Sequence, residues 1–529
     1  MLPPRIGVFV DAQLTLDSAL AMALANNKDI DSARVDQAKT LYNVLAAKGA
    51  YDPRIGANLY YQKAITPVAS TLGGSPTGAL TNRTALGDPQ LTFSLPWTGA
   101  TLQVDYSSSR VSTNNTFATL SPQYPTSLNA IFTQPLWRGL RYDSGRHGVE
   151  VAKRNQALSD EQFRQRVMQI VAQTEQAYWD LLYAYRNLEV QVEAVRIGRE
   201  QDESNRRQEM QGILAPIDVV AAQRQLATFE INAYNAQQAL TAAENALKVL
   251  ILPDRSDPLW SAALIPTTAV NVEPPLVTLT DAITEALANR PELAQVHISD
   301  QINRADVHYY REQTKPQVDL IATHTNAGLA GAQAPVGPNP FSAFTGLFQQ
   351  VNQLSTLAGL PALPVASFGG SSVPPGFTGG YGQSASLLFG NNFPTTEVQL
   401  RISMPLRNRT AEASLASSLV EARRINDQRQ QVEEQIEASV RNGMQAVESA
   451  KAILGSAIVA RQSAEEQYAS EQRQFRAGTS TLFLVQQRQA DMITARSVER
   501  QAESNLGKAV AAFELATGSI LRVHNIQLK

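Results

Sequence analysis

The chain contains no cysteine among its 529 residues. Disulfides, thiolate metal sites and a lipid-modified N-terminal cysteine are therefore all excluded. Charged residues make up only 18% of the chain, and the formal net charge is −3. Because basic residues are not in excess, the sequence offers no surface suited to nucleic acid or to an anionic membrane. We expect no nucleic-acid partner.

Long apolar runs are also missing. No stretch of about 18 consecutive apolar residues exists, so the sequence predicts no transmembrane helix. Any insertion into a membrane would then require a β-barrel, since a closed barrel also satisfies every backbone hydrogen bond in lipid. The opening segment Met1–Arg5 carries one positive charge and a very short apolar patch, which makes a poor secretory signal. We therefore expect either that the chain is already trimmed or that it is not exported.

Groups that carry out chemistry are equally scarce. We find no phosphate-binding glycine motif, no nucleophile elbow and no catalytic triad. The histidines show no pairing at metal-ligand spacing, which argues against a metal site and against a catalytic dyad. The sequence predicts a protein that is not an enzyme and that has no cofactor. The five histidines are His147, His297, His308, His324 and His524.

What the sequence does contain is a repeat of about half its own length. The opening at Leu14 returns at Val277, an offset of 277 − 14 = 263 residues. Three further landmarks recur in the same order: Pro53 as Pro316, Gln134-Pro135-Leu136 as Met404-Pro405-Leu406, and Gly212 as Gly478. We predict two structural repeats, residues 1–263 and 264–529, with the same order of helices and strands.

Alternation of apolar and polar residues predicts two strands in each repeat. The four strands are expected near residues 54–61, 127–135, 317–324 and 396–405. In the last of them, Glu397 and Arg401 alternate with apolar residues, so we expect both charges to face a water-filled lumen. Long segments rich in glycine, proline and small polar residues, about 63–126 and 326–394, are predicted as loops of the kind found outside membrane barrels. An additional hairpin pattern surrounds Trp97, and the sequence leaves open whether that hairpin joins the sheet.

The second half of each repeat is predicted to be a very long helical hairpin. The hairpins occupy residues 141–252 and 409–516, and they reverse direction at Gly212 and Gly478 because glycine accepts a positive φ. In the first, residues at heptad spacing predict a left-handed coiled coil. These heptad positions are Val171, Thr174, Tyr178, Leu181, Tyr185, Leu188, Val192 and Val195.

This layout resembles the TolC-like outer-membrane efflux factor family over essentially the whole of residues 14–518. The resemblance rests on the duplicated opening, the two strand ends before Leu136 and Leu406, and the paired loops at Gly212 and Gly478. It implies a mainly α fold with membrane β: tandem-duplicated long α-helical hairpins that form a trimeric α-barrel, plus a shared transmembrane β-barrel with four or more strands per protomer. Three protomers of that family build a twelve-strand barrel.

The resemblance also implies a function and partners. Family members are passive outer-membrane channels of tripartite efflux or type I secretion systems, and they extend into the periplasm. The implied partners are two sister chains in a homotrimer, outer-membrane lipid, a periplasmic adaptor protein, and an inner-membrane pump or ABC transporter. The alternative is a periplasmic coiled-coil adaptor or scaffold protein without a membrane barrel. A hydrolase with helical decoration is the second alternative, against which the lack of any reactive cluster counts.

Finally, the resemblance implies a periplasmic gate at the ends of the helical hairpins. Family members close this gate with acidic, tyrosine and arginine side chains. This chain keeps an acid at Asp218 but has Phe475, Ser480 and Gln487 at the tyrosine, arginine and second acidic positions. An ion pair between Asp218 and an arginine at those positions is therefore not available, and Arg473 or Arg476 is left as a substitute. The expected gate and docking tip comprise Gly212, Asp218, Phe475, Gly478, Ser480 and Gln487. The alternative role for Asp218 is only to complement the dipole of the helix that begins there.

Overall fold

A computed structural model describes residues 3–69, 74–75, 77–269, 275–334, 342–364 and 373–528. The chain divides into two compact units, and each unit takes residues from both halves of the sequence. The helical unit comprises Met1–Val44, Ala152–Arg304 and Val420–Lys529, and the sheet unit comprises Leu45–Val151 and Ala305–Leu419.

The helices in the described residues are α1 (Leu16–Asn26), α2 (Lys28–Lys48), α3 (Ser144–Met210), α4 (Pro216–Ile251), α5 (Leu279–Asn289), α6 (Pro291–Gln313), α7 (Ser342–Leu357), α8 (Tyr381–Phe389), α9 (Arg409–Arg476), α10 (Leu482–Thr517) and α11 (Ile520–Val523). Eight of them occur as matched pairs, one from each repeat: α1 with α5, α2 with α6, α3 with α9 and α4 with α10. Helices α7 and α8 belong to the sheet unit, and the boundaries between the units fall within α2, α3, α6 and α9. None of the helices in the described ranges has an apolar stretch long enough to cross a bilayer.

The strands form two sheets. In the helical unit, β1 (Val10–Leu14) pairs in parallel with β6 (Ala262–Pro266). In the sheet unit, six strands form one antiparallel sheet in the order β2-β3-β4-β5-β7-β8. These strands are β2 (Arg54–Pro67), β3 (Ala79–Ser94), β4 (Thr101–Thr113), β5 (Leu120–Pro135), β7 (Gln317–Gln333) and β8 (Pro394–Ser403).

The prediction of a long loop over residues 63–126 was wrong. Most of that segment is strand, and the hairpin around Trp97, whose place the sequence left open, joins the sheet between β2 and β5 as β3 and β4. Its many Ser, Thr and Gly residues suggested a loop, but they suit a strand that has one polar face. The second predicted loop, 326–394, contains the end of β7 and helices α7 and α8. Residues 335–341 and 365–372 of that loop lie outside the described residues.

The Ala-rich amphipathic stretch from Thr15 to about Ala50 predicts one helix that ends before Pro53, but the structure divides it in two. Asn27 has an extended backbone, with φ −64° and ψ 126°, and it separates α1 from α2. Its side-chain oxygen accepts a hydrogen bond from the Asp29 backbone N–H at 2.9 Å, and its side-chain nitrogen donates to the Leu250 carbonyl at 3.1 Å. An asparagine that caps the following helix in this way competes with continuation of the preceding helix. Helical periodicity in the sequence gives no sign of this break at Asn27.

The heptad stripe of α3 is buried in its first half only. Val171, Thr174, Tyr178 and Leu181 are fully buried, whereas Val192 is 42% exposed. The Tyr178 hydroxyl lies 3.0 Å from the Leu14 carbonyl and 2.8 Å from the Thr268 hydroxyl, so α3 packs against the small parallel sheet. On α9 the buried apolar side chains include Ile425, Ile436, Val440 and Val447.

A buried ion pair fixes α4 beside the segment that follows it. Lys248 and Glu244 are each 1% exposed, and their charged atoms are 2.6 Å apart. The Lys248 ammonium also donates to the carbonyls of Trp260 and Ala262, at 3.0 and 2.6 Å, and Arg5 pairs with Glu244. Each charge therefore has several partners, which a buried ion pair requires to offset the loss of hydration. This arrangement holds β6 against α4.

Candidate functional site

The two helical hairpins end in tips with the same backbone geometry. Tip 1 comprises residues 208–219 and tip 2 comprises residues 474–487. In tip 1, the Gly212 N–H donates to the Glu209 carbonyl at 2.8 Å, and the Ile213 N–H donates to the Gln208 carbonyl at 2.9 Å. These two hydrogen bonds around a residue in the left-handed conformation form the Schellman motif that ends a helix. The φ of Gly212 is +72°.

Tip 2 repeats this pattern 266 residues later. The Gly478 N–H donates to the Phe475 carbonyl at 3.0 Å, the Thr479 N–H donates to the Gln474 carbonyl at 2.9 Å, and the φ of Gly478 is +78°. A side chain at either glycine would meet no atom within 4 Å, so only the backbone conformation requires glycine. The pairing of Gly212 with Gly478 found in the sequence thus corresponds to one structural device used twice.

The next helix of each hairpin begins differently. In tip 1, Pro216 is the first residue of α4, and Asp218 lies in the first turn, where a carboxylate is favourable beside the helix dipole. In tip 2, the Thr481 hydroxyl caps α10 by accepting from the Leu484 N–H at 3.4 Å, and Ser480 donates to the Glu471 carboxylate.

Phe475 does not project freely from tip 2. It packs against an apolar cluster, here called the tip cluster, which draws residues from α3, α4, α9 and α10. The buried members of the tip cluster are Ala194, Phe229, Tyr468, Val485, Met492 and Ile493. Phe475 therefore belongs to the apolar layer that joins the two hairpins near their tips.

The predicted gate residues do not form one connected group. Gln487 is exposed, Asp218 is half-buried, and no ion pair joins Asp218 to another described residue. Arg473 and Arg476 are exposed on the last turn of α9 and likewise form no ion pair within the described ranges. The structure thus brings Phe475 into the packing between hairpins, and it leaves Asp218 and Gln487 on the surface of the single chain.

Ion pairs that sequence reasoning missed connect the helices behind the tips. Within the second hairpin, the Glu465 carboxylate lies 2.7 Å from both Arg461 and Arg496. Burial raises the pKa of Glu465, but the hydrogen bonds and charge of Arg496, with those of Arg461, outweigh burial and lower it below its usual value. Between hairpins, Arg186 lies 3.1 Å from Glu503. Only the i, i+4 pair Arg461–Glu465 could be read from sequence spacing.

A second missed feature is a cluster of three titratable groups: buried Glu175 of α3, and the partly buried Glu514 of α10 and His524, which directly follows α11. His524 lies 3.1 Å from Glu175 and 3.9 Å from Glu514. The scattered histidines gave no sign of this arrangement, because its members are far apart along the chain. Its three ligand atoms lie within 4.8 Å of one another, which is close enough for a metal ion, although acidic groups commonly cluster without one.

Burial and the adjacent Glu175 carboxylate raise the pKa of Glu514 to about 7, against the opposing effect of His524. Burial lowers the pKa of His524, but the hydrogen bond and charge of Glu175 outweigh it, so the pKa of His524 lies above its usual value. Both groups therefore hold protons in the folded chain at pH values where they would release them in the unfolded chain.

The six-stranded sheet has one apolar face and one polar face. One cross-strand row on the apolar face reads Phe93, Leu102, Phe132, Ala322 and Val398. A row on the polar face reads Gly56, Gln90, Asp105, Asn129, Thr325 and Thr395. Glu397 and Arg401 lie on the polar face, opposite Thr323 and Asp319 of β7, and both are exposed.

Comparison with solved structures finds several matches in fold, among them CusC and the outer membrane channels CmeC and MtrE. CusC superposes with a TM-score of 0.64 at 14% identity, covering 96% of this chain and 93% of that one. The CmeC outer membrane channel of Campylobacter jejuni gives 0.63 at 13% identity, covering 95% and 85%. The open state of the MtrE outer membrane channel of Neisseria gonorrhoeae gives 0.59 at 13% identity, covering 96% and 89%.

The family described as outer membrane efflux protein matches the chain over residues 94–251. The chain has the fold of the outer-membrane efflux channels. The resemblance to the TolC-like family and the predicted fold class are thereby confirmed. No curated protein sequence matches the chain. The outer membrane efflux protein match includes the whole first helical hairpin, α3 and α4, and strands β4 and β5.

We expect Gly212→Ala and Gly478→Ala each to destabilise its tip by about 1–2 kcal/mol, because alanine is strained at positive φ. Hydrogen exchange of the tip amides should rise in the substituted tip only. The control is Gly455→Ala within α9, where the added methyl also meets no atom within 4 Å and should stabilise the helix slightly. Equal exchange in all three variants would contradict this assignment.

We expect Glu514→Gln to flatten the pH dependence of stability. In the unaltered protein, stability should fall as pH rises from about 5 to about 7, because folded Glu514 then loses a proton that the unfolded chain has already released. The raised pKa of His524 has the same sign. The measurement is the unfolding midpoint at pH 5, 6, 7 and 8, with exposed Glu434→Gln as control. A midpoint that does not fall between about pH 5 and 7 would refute this.

Proposed function

We propose that this protein is an outer-membrane channel, the exit duct of a tripartite efflux or type I secretion system, and that it works as a homotrimer. The observation that carries the proposal is the sheet, which is amphipathic across all six strands and unpaired at both edges. The fold of the whole chain is that of the outer-membrane efflux channels. The proposed location is the outer membrane, with the helical unit in the periplasm.

The sheet leaves its apolar face without cover at the edge strands. Ile55 and Leu59 of β2 are 84% and 78% exposed, and Val398 and Ile402 of β8 are 68% and 65% exposed. When one face of a sheet is exposed to water, the other, apolar face is normally buried against a core. Here the lipid of a bilayer supplies the apolar surroundings for one face, and the polar face, with Glu397 and Arg401, lines a water-filled lumen.

The helical unit leaves apolar side chains exposed as well. On α9 these include Val420, Ile453 and Val459, and on α4 they include Val220 and Ile231. Helices that bury one stripe in their own chain and expose a second stripe are completed by a neighbouring copy. Sister protomers would cover this second stripe and enclose a helical tunnel.

The proposed channel catalyses no reaction of its own and opens passively. Its periplasmic mouth is held shut by packing at the tip cluster and by ion pairs between hairpins. An adaptor protein that binds the open arrangement better would shift the equilibrium toward it, and the inner-membrane pump or ABC transporter would supply the cargo. We place adaptor docking at tips 1 and 2, which include Gly212, Asp218, Gly478, Ser480 and Gln487.

The alternative of an adaptor or scaffold protein without a membrane barrel fits the structure less well. Such a protein has no need for six strands with a continuous apolar face, and it needs only one helical hairpin. Two hairpins and an unfinished amphipathic sheet favour the channel.

We expect the chain, expressed with an export signal, to be recovered from the outer-membrane fraction as a trimer. The physical reason is that its exposed apolar strands need both lipid and neighbouring copies. Fractionation followed by mass measurement in detergent tests this. Recovery as a monomer without detergent, in the periplasmic fraction, would refute the proposed function.

We expect Phe475→Ala to raise single-channel conductance in a planar bilayer. Removing this partly buried ring weakens the packing that holds the hairpins together by about 1–3 kcal/mol, which favours the open arrangement. The matched control is Phe483→Ala, because Phe483 lies on the same tip but is 69% exposed. Unchanged conductance in Phe475→Ala, or an equal rise in both variants, would remove Phe475 from the gate.

A further inference from the structure

We propose that the membrane wall of this channel has eighteen strands, six from each of three protomers, and that hairpin β3–β4 gives it an exit wide enough for bulky cargo. This inference rests on the proposed function, because it takes the channel and its three copies as given. The sequence alone supported four strands in each protomer. The remaining two strands are the ones that the structure adds to the sheet.

Hairpin β3–β4 is part of the sheet and not a flap outside it. β3 pairs with β2 along the whole of β2, from Arg54 opposite Thr92 to Pro67 opposite Ala79. β4 pairs with β5 from Thr101 opposite Thr133 to Val111 opposite Gln123. Since β2 and β5 are separated by two strands and do not pair with each other, the hairpin is what joins them in this sheet.

The hairpin also continues both faces of the sheet without a break. Leu91 and Phe93 of β3 and Leu102 and Val104 of β4 lie in register with apolar residues of β5. Gln90 and Asp105 lie on the polar face, in the same row as Asn129 of β5. A one-residue shift in pairing would reverse the faces of an entire strand, so this agreement indicates that both strands belong to one wall.

The turn between β3 and β4 is fixed to the segment that follows β5. Gly99 has a φ of +68°, and an added side chain there would come within 2.7 Å of the Gly139 carbonyl. The Gln134 side-chain nitrogen donates to the Thr98 carbonyl at 3.2 Å, and Arg146 donates to the Trp97 carbonyl at 3.4 Å. The hairpin is therefore held at the same end of the sheet as the end of β5.

The two edge strands are suited to pairing with further copies of this chain. β2 and β8 are 14 and 10 residues long, each is paired on one side only, and both are exposed along their length. Long unpaired edges of this kind pair with other strands. In a sheet of six antiparallel strands the first and last run in opposite directions, so β8 of one copy and β2 of the next extend the same antiparallel pattern until the ring closes.

The number of strands determines the width of the wall. With neighbouring strands about 4.8 Å apart and tilted by about 40°, a closed ring of eighteen strands is about 36 Å across, whereas twelve strands give about 24 Å. The cross-section of the wall therefore rises about twofold. We infer that the exit accepts folded or otherwise bulky cargo more readily than a barrel with four strands per protomer would.

The test is to determine the strand count of the full-length protein, purified in detergent, by cryo-electron microscopy. Eighteen strands would support the inference. A closed barrel with fewer strands, with β3 and β4 outside the wall, would overturn the inference and leave the proposed function intact. A particle that contains no closed barrel would overturn both.

A second measurement compares the full chain with a variant that lacks Ala79–Thr113, so that the segment after β2 runs directly into the segment before β5. Polymers of graded size are added at the extracellular side of single channels, and the largest polymer that enters the lumen is found from the drop in conductance. The full chain should admit polymers about 1.5 times larger in radius than the variant does. Equal cut-offs would overturn the inference. Should the variant fail to fold, the strand count of the full chain still decides.

Discussion

Six strands with one apolar face and two unpaired edges impose the constraint on which the rest of this molecule depends. A strand edge presents N–H and C=O groups that need partners, and the apolar face needs surroundings other than water. Neither need is met within the single chain, where β2 and β8 are exposed on both faces. In the proposed channel, lipid and further copies would meet both needs together, and that is why a channel explains the sheet better than any single-chain function does.

The helical unit, by contrast, covers apolar side chains within its own chain over most of its length. Its apolar core surrounds Tyr178 and the neighbouring turns of α3, and the buried pair Lys248–Glu244 lies in the same unit. Toward the tips the buried apolar layer narrows to the tip cluster, and ion pairs such as Arg186–Glu503 take over the contact between hairpins. Few apolar contacts and partly exposed ion pairs cost little to break. In the proposed channel, a mouth built in this way would open while the rest of the unit stays folded.

Much of the fold could be predicted from the sequence because it is periodic. The long helices were expected to within a few residues, since α3 and α9 have continuous helical patterns that end at Gly212 and Gly478. Strand β8 was equally clear, because Val398, Leu400 and Ile402 alternate with charged and polar residues. Strands β3 and β4 were only suggested, since Ser and Thr on their polar face resemble a loop until a neighbouring strand is present. Asn27 divided an expected helix through a side-chain bond that periodicity does not register.

The candidate site was less accessible to sequence reasoning than the fold. The matching positions identified Asp218, Phe475, Ser480 and Gln487, but they did not show that Phe475 packs between hairpins whereas Gln487 is exposed. The sequence contained no indication of the cluster of Glu175, Glu514 and His524, because the raised pKa of Glu514 depends on burial by residues distant in sequence.

By itself the sequence determined the duplication, the helices, the turning glycines and the amphipathic alternation, because each of these depends on residues that are close along the chain. The tertiary structure alone decided that hairpin β3–β4 enters the sheet, that two free edges remain, and which charges meet. Strand pairing, burial and ion pairing depend on which distant segments come to lie side by side, and no local pattern specifies that.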